Sequence, residues 1–231
     1  MTGTLLAALV AALSLAPPGA AAPAPVPGAP GGKVVDEVVA VVGTRAGEAR
    51  VITLSTVAEE GRIALVSRGG TEAAFAPLDG AVLRASLDWY VDQLLLHEEA
   101  VRLQVFEVEA AAVQGELARF KGEFRRPADY QAFLVAIDAT EEDLGAILRR
   151  TVRVRRYLES RLGRFRASPK EIEAWYRSHP EEVAGRPLEQ VSDEIASRLA
   201  TARADAETRA LLAELRARAD IRILVDLGAR P

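Results

Sequence analysis

Val34-Val35-Asp36-Glu37-Val38-Val39-Ala40-Val41-Val42-Gly43, with Val51-Ile52-Thr53-Leu54-Ser55 a few residues on, is the stretch that decides the fold. β-Branched residues crowd both runs, and Gly43 and Gly47 allow a turn between them, so the pair reads as a β-hairpin feeding a helix. Near the other end, Asp220-Ile221-Arg222-Ile223-Leu224 reads as a closing strand. Everything between carries helical periodicity. The expected fold class is therefore mainly α with a small β-sheet, a multi-helix body closed by an N-terminal hairpin and a C-terminal strand.

Working outward from the hairpin, Thr53 or Ser55 can cap a helix running to about Ser67, and Gly69, Gly70 and Pro77 mark a loop. From Asp79 to about Gln104 the apolar residues Leu83, Leu87, Tyr90, Leu94 and Val101 recur at helical spacing. Further helices are expected over 107–124 and 127–137, the latter opening with Pro127 in its first turn. Thr140-Glu141-Glu142-Asp143 resembles a capping box with Asp as its acid. Ser168-Pro169-Lys170-Glu171 combines a Ser cap, a Pro at the first position and a Glu at the third. That helix should end near His179-Pro180. A last helix from about Leu188, at 1.5 Å per residue, should be ~47 Å long.

The bulk composition is that of an ordinary globular protein, 49% hydrophobic and 27% charged over 231 residues. A net charge of −4 argues against a nucleic-acid partner. The absence of cysteine excludes disulfides, thiolate metal sites and a Cys nucleophile. Residues 4–16 are an uncharged apolar run, broken by Pro17-Pro18-Gly19 and followed by small residues. That run is shorter than the ~20 residues that span a bilayer, and it has the pattern of a secretory signal peptide over 1–22. Residues 23–33 read as a Pro/Ala/Gly linker, and 34–231 as the helical body.

The ordered motifs Val-Asp-x-x-Val-Ala-Val-Val and Ser168-Pro169-Lys170-Glu171-Ile172-Glu173-Ala174-Trp175-Tyr176 resemble the N-terminal chaperone module of SurA-type periplasmic proteins. So does the tail from Pro187-Leu188-Glu189-Gln190-Val191 to Asp220-Ile221-Arg222-Ile223. The resemblance spans about 34–231 and implies that the tail strand pairs with the N-terminal one. It also implies a periplasmic, ATP-independent holdase for unfolded polypeptides such as outer-membrane protein precursors. Such proteins usually insert parvulin-type prolyl isomerase domains before the closing helix. Here only Pro180-Glu181-Glu182-Val183-Ala184-Gly185-Arg186 fills that place, which implies a chaperone module without isomerase activity. No catalytic residue, cofactor or metal is expected. The alternatives are a non-catalytic adaptor for one dedicated envelope partner and, less favoured, a peptidyl-prolyl isomerase.

Each chemically suggestive cluster has a plainer reading. His97-Glu98-Glu99-Ala100-Val101 lacks the second His that a zinc helix needs at i+4, so His97 reads as a partly exposed helix residue. Glu59/Glu60, Glu98/Glu99 and Glu181/Glu182 point about 100° apart on a helix and read as solvated faces rather than acid–base dyads. Eight arginines from Arg149 to Arg166 read as a solvated face, offset by Glu181, Glu182, Asp193 and Glu194, in preference to an anion-binding surface. Most aromatic residues read as core. A client groove nevertheless needs exposed apolar surface, and Phe120, Phe124, Tyr130 and Phe133, from the least regular part of the body, are the candidates.

Overall fold

The structure, a computed structural model, describes residues 36–43, 49–103, 107–163 and 165–229. The leader 1–22, the linker 23–33 and residues Val34, Val35, Gly47, Gln104 and Phe106 lie outside them. The described chain is mainly helical with one small sheet. Strands β1 (Val38–Gly43) and β2 (Ala49–Thr53) form the hairpin, and β3 (Asp220–Ile223) closes it. The strand order is β2-β1-β3, antiparallel throughout, with Val41 facing Val51 on one side and Arg222 on the other.

Helices α1 (Leu54–Val66), α2 (Thr71–Phe75), α3 (Gly80–Arg102), α4 (Ala110–Gly122) and α5 (Pro127–Ala136) follow the hairpin. Then come α6 (Glu141–Leu162), α7 (Pro169–Ser178), the single turn α8 (Pro180–Val183) and α9 (Leu188–Arg218). The chain divides into two compact units. One holds the sheet, α1–α5, α6 as far as Arg155, and everything from Glu214 onward; the other holds 156–213.

Local chemistry fixes the helix starts. Thr53, not Ser55, caps α1. Asp36 reaches across from the start of β1, where its carboxylate accepts hydrogen bonds from the Ser55 amide (3.2 Å) and hydroxyl. Those bonds favour the ionised form and hold the Asp36 carboxyl down at about 2. Asp79 caps α3 by accepting from Val82 N at 2.8 Å. At α6, Thr140 and Asp143 bond reciprocally, Thr140 N to Oδ2 at 2.9 Å and Asp143 N to Oγ1 at 3.2 Å. At α7 the Glu171 carboxylate accepts from both the amide and the hydroxyl of Ser168.

In the sheet-bearing unit, Val39, Ala40, Val42 and Ile52 are the fully buried residues of the sheet. Helices α1 and α3 pack against each other at Gly61, where a Cβ would run into the Ser86 side chain. A second core joins α1, α2, α4, α5 and α6 through Ile63, Val66, Ala74, Leu117, Phe120, Phe133 and Leu144. Arg216, in the last turns of α9, donates to Asp92 of α3 at 2.6 Å and to the Asp88 carbonyl at 3.1 Å. Leu227, in the closing 3-10 turn Leu227–Ala229, is fully buried and packs against α3.

The 156–213 unit is organised by the Trp-Tyr motif. Ile172, Trp175 and Tyr176 of α7 pack on Val183, Val191 and Ile195, and the Tyr176 hydroxyl donates to the Arg186 carbonyl at 2.8 Å. The turn after α8 takes two consecutive left-handed residues, Ala184 (φ 50°) and Gly185 (φ 73°).

Candidate functional site

The four aromatic candidates sit together, but inside. Phe120 and Phe124 come from α4 and the residue pair just after it, Tyr130 and Phe133 from α5. Ring centroids lie 5.4–5.8 Å apart for Phe120–Phe124, Phe120–Phe133, Phe124–Tyr130 and Phe124–Phe133. None is more than 7% exposed, and Phe133 is completely covered. The expectation that these side chains line an open groove is therefore corrected: they form the centre of the second core. The cause is the packing of α4 and the residues after it on α5, which turns each aromatic inward. The Tyr130 hydroxyl keeps a polar partner by donating to Glu141 at 3.1 Å. Burial and that carboxylate push its own ionisation well above the usual tyrosine range.

Phe75, at the end of α2, lies over this cluster with 43% of its surface exposed. Its ring meets Phe133 edge-on at 5.9 Å and 82°. Val135 of α5, at 81%, is the most exposed large apolar residue among the described residues.

A second concentration of chemistry lies where α1, α3 and α6 meet. Glu60 of α1 is 2% exposed and ion-pairs with Arg150 of α6. The Arg150 guanidinium lies 5.2 Å from the centre of the Tyr90 ring on α3. Burial raises the Glu60 carboxyl above its ordinary value, opposed by Arg150. Its neighbour Glu59 is pushed up to about 7 by burial, with repulsion from Glu60 and Asp143 adding to the shift. Glu59 and Glu60 are thus not a solvated face; the sequence shows their acidity but not the turn of α1 that carries them inward. His97 of α3 is held down to about 4, first by burial and then by the charges of Arg153, Arg150 and Arg50. Glu60 Oε2, Gln93 Oε1, His97 Nδ1 and Trp89 Nε1 are buried without a hydrogen-bond partner among the described residues. Such a seam can store charge and couple the packing of three helices to proton concentration.

Three arginines of α6 are committed to contacts within the sheet-bearing unit. Arg150 serves Glu60, Arg155 makes a two-pronged contact with Glu116 of α4 (2.8 and 3.2 Å), and Arg149 donates to the Val108 carbonyl. Two of the acids expected to balance these arginines pair elsewhere, Glu182 with Arg198 and Glu194 with Arg186.

In the 156–213 unit, the Trp175 ring is stacked on His179 (4.2 Å, 6°) and lies 5.0 Å from the Arg198 guanidinium. His179 closes α7, its Nδ1 2.9 Å from the Trp175 carbonyl. The Trp175 ring and Arg198 border a hollow with Val183, Val191 and Ile195.

Among the described residues, no cluster of three or more His, Cys, Asp or Glu is placed to hold a metal ion, and no helix is long and apolar enough to cross a membrane. No protein-family model matches this chain, and no curated protein does.

Proposed function

We propose that this chain is an ATP-independent periplasmic chaperone module that holds unfolded polypeptides, outer-membrane protein precursors among them. The observation that carries the reading is the sheet order β2-β1-β3, in which strands from opposite ends of the chain flank β1. That is the arrangement the resemblance to SurA-type modules implies. Asp36, from the same Val-Asp motif, fixes the start of the helical body through Ser55. Exposed apolar side chains on the sheet-bearing unit, Val51, Val135 and Leu224 among them, supply surface for weak, multi-point contact with extended clients. Contacts of that kind slow aggregation and release the client without a nucleotide.

The test is light scattering of a urea-unfolded outer-membrane barrel protein diluted into buffer with and without the purified protein. Suppressed scattering at near-stoichiometric ratios is the expected result. No suppression by folded protein shifts the reading to an adaptor with one dedicated envelope partner. Turnover of a proline-containing peptide overturns both in favour of an isomerase.

A further inference from the structure

Helix α2 is five residues long, too short to be stable by itself. It enters through Gly69, whose φ of 79° favours glycine, and through Gly70, whose amide donates to the Leu65 carbonyl at 2.9 Å. It leaves through Ala76 and Pro77. Its side-chain anchors are few. Arg62 of α1 donates to the carbonyls of Ala74 and Ala76, and the Thr71 hydroxyl donates to the Glu123 carbonyl at 3.2 Å. Ala74 is fully buried against the aromatic core, whereas Phe75 beside it is half out. A short, glycine-pivoted segment therefore buries Ala74 in the cluster of Phe120, Phe124 and Phe133 and rests one aromatic ring of its own on Phe133.

We propose, resting on the chaperone reading, that α2 is a displaceable lid. Phe75 holds the place at this cluster that an aromatic side chain of an unfolded polypeptide takes when α2 swings out. Opening breaks the anchors above and uncovers Ala74 and one face of Phe133, far less than unfolding the unit. The face of Phe133 so uncovered is one that an incoming Phe or Tyr meets edge-to-face, as Phe75 does. Because the chain occupies its own site, apparent client affinity is reduced by the fraction of time the lid is open. The sign of one substitution follows. Phe75→Ala removes the competitor and tightens client binding, whereas an exposed phenylalanine that merely touched clients would weaken binding when lost.

The experiment uses the full chain and a fluorescein-labelled disordered peptide of alternating Phe and Ser, read by anisotropy. Phe75→Ala is expected to bind it roughly fivefold more tightly than the unsubstituted protein; equal or weaker binding overturns the proposal. A second measurement needs no change at Phe75. In a chain without cysteine, Ala74→Cys on the lid and Ala100→Cys on α3 replace residues of equal, complete burial. Ala74→Cys is expected to react with a thiol reagent about tenfold or more faster than Ala100→Cys, and the peptide should accelerate the first alone. Equal rates overturn the lid, and peptide binding without acceleration overturns the shared site. Light scattering with the unsubstituted protein reports the chaperone reading separately. Holdase activity with slow Ala74→Cys labelling sinks the lid alone. Fast labelling with neither peptide binding nor holdase activity sinks the chaperone reading and the client site with it.

Discussion

Glu60 and Arg150, ninety residues apart in the chain, form an ion pair whose side chains are 3% and 14% exposed. A charge this deep is tolerated only while its partner is present. Arg150→Met should therefore cost about 3 kcal/mol of stability, read from urea unfolding, because it leaves the Glu60 carboxylate uncompensated. The double variant Glu60→Leu/Arg150→Met should recover most of that loss. A double variant no better than the single one would mean that the pair stabilises the unit outright.

The α1–α3 crossing depends on having no side chain at residue 61. Gly61→Ala places a Cβ against Ser86, closer than real contacts allow, so the helices must part. A loss of about 1–3 kcal/mol is expected even though alanine favours helix, and Ser86→Gly in the same chain should restore part of it. A neutral or stabilising Gly61→Ala would show that the crossing has slack.

Because the aromatic cluster is core, Phe133→Ala should lower stability by about 3–5 kcal/mol, with loss of helicity at a lower urea concentration. Phe120→Ser and Phe124→Ser should also destabilise, so a loss of client holding in those variants has to be compared at conditions where each is folded.

Stability should depend on pH through Glu59 and His97 in opposite directions. The Glu59 carboxyl, raised to about 7 from an ordinary 4.5, takes a proton in the folded state that the unfolded chain does not yet bind. Stability therefore rises as pH falls from 8 towards 4.5 on its account. His97, lowered from 6.5 to about 4, stays neutral in the folded state while the unfolded chain protonates, so its contribution falls below 6.5. Between pH 8 and about 7 Glu59 outweighs His97, whose unfolded form is still mostly neutral there. The urea midpoint should rise across that window in the unsubstituted protein and stay flat in Glu59→Gln, where an unchanged rise would assign it to another group.

What the sequence made legible was what neighbours in the chain determine. The hairpin, the starts of α3, α6 and α7 and the full extent of α9 follow from capping residues and periodicity acting over a few positions. Helix α2 was hidden because five residues between glycines and a proline carry too little pattern to tell from a loop. The Glu60–Arg150 and Glu116–Arg155 pairs were hidden because long-range packing chooses each arginine's partner, so α6 read as a solvated face. The aromatic cluster shows the same limit: spacing placed Phe120, Phe124, Tyr130 and Phe133 on helices, but only the packing of α4 on α5 decides that they face inward.

The central position of β1 has a consequence for biosynthesis. Its partner β2 emerges from the ribosome almost at once, but β3 follows only after α1 through α9 have been made. Until then one edge of β1 is open, and the turns of α9 that bear Arg216 and its bond to Asp92 do not exist. The sheet-bearing unit thus cannot reach its final form on a partly made chain. Its completion is a late event that closes a very long loop, and loops of that kind close slowly.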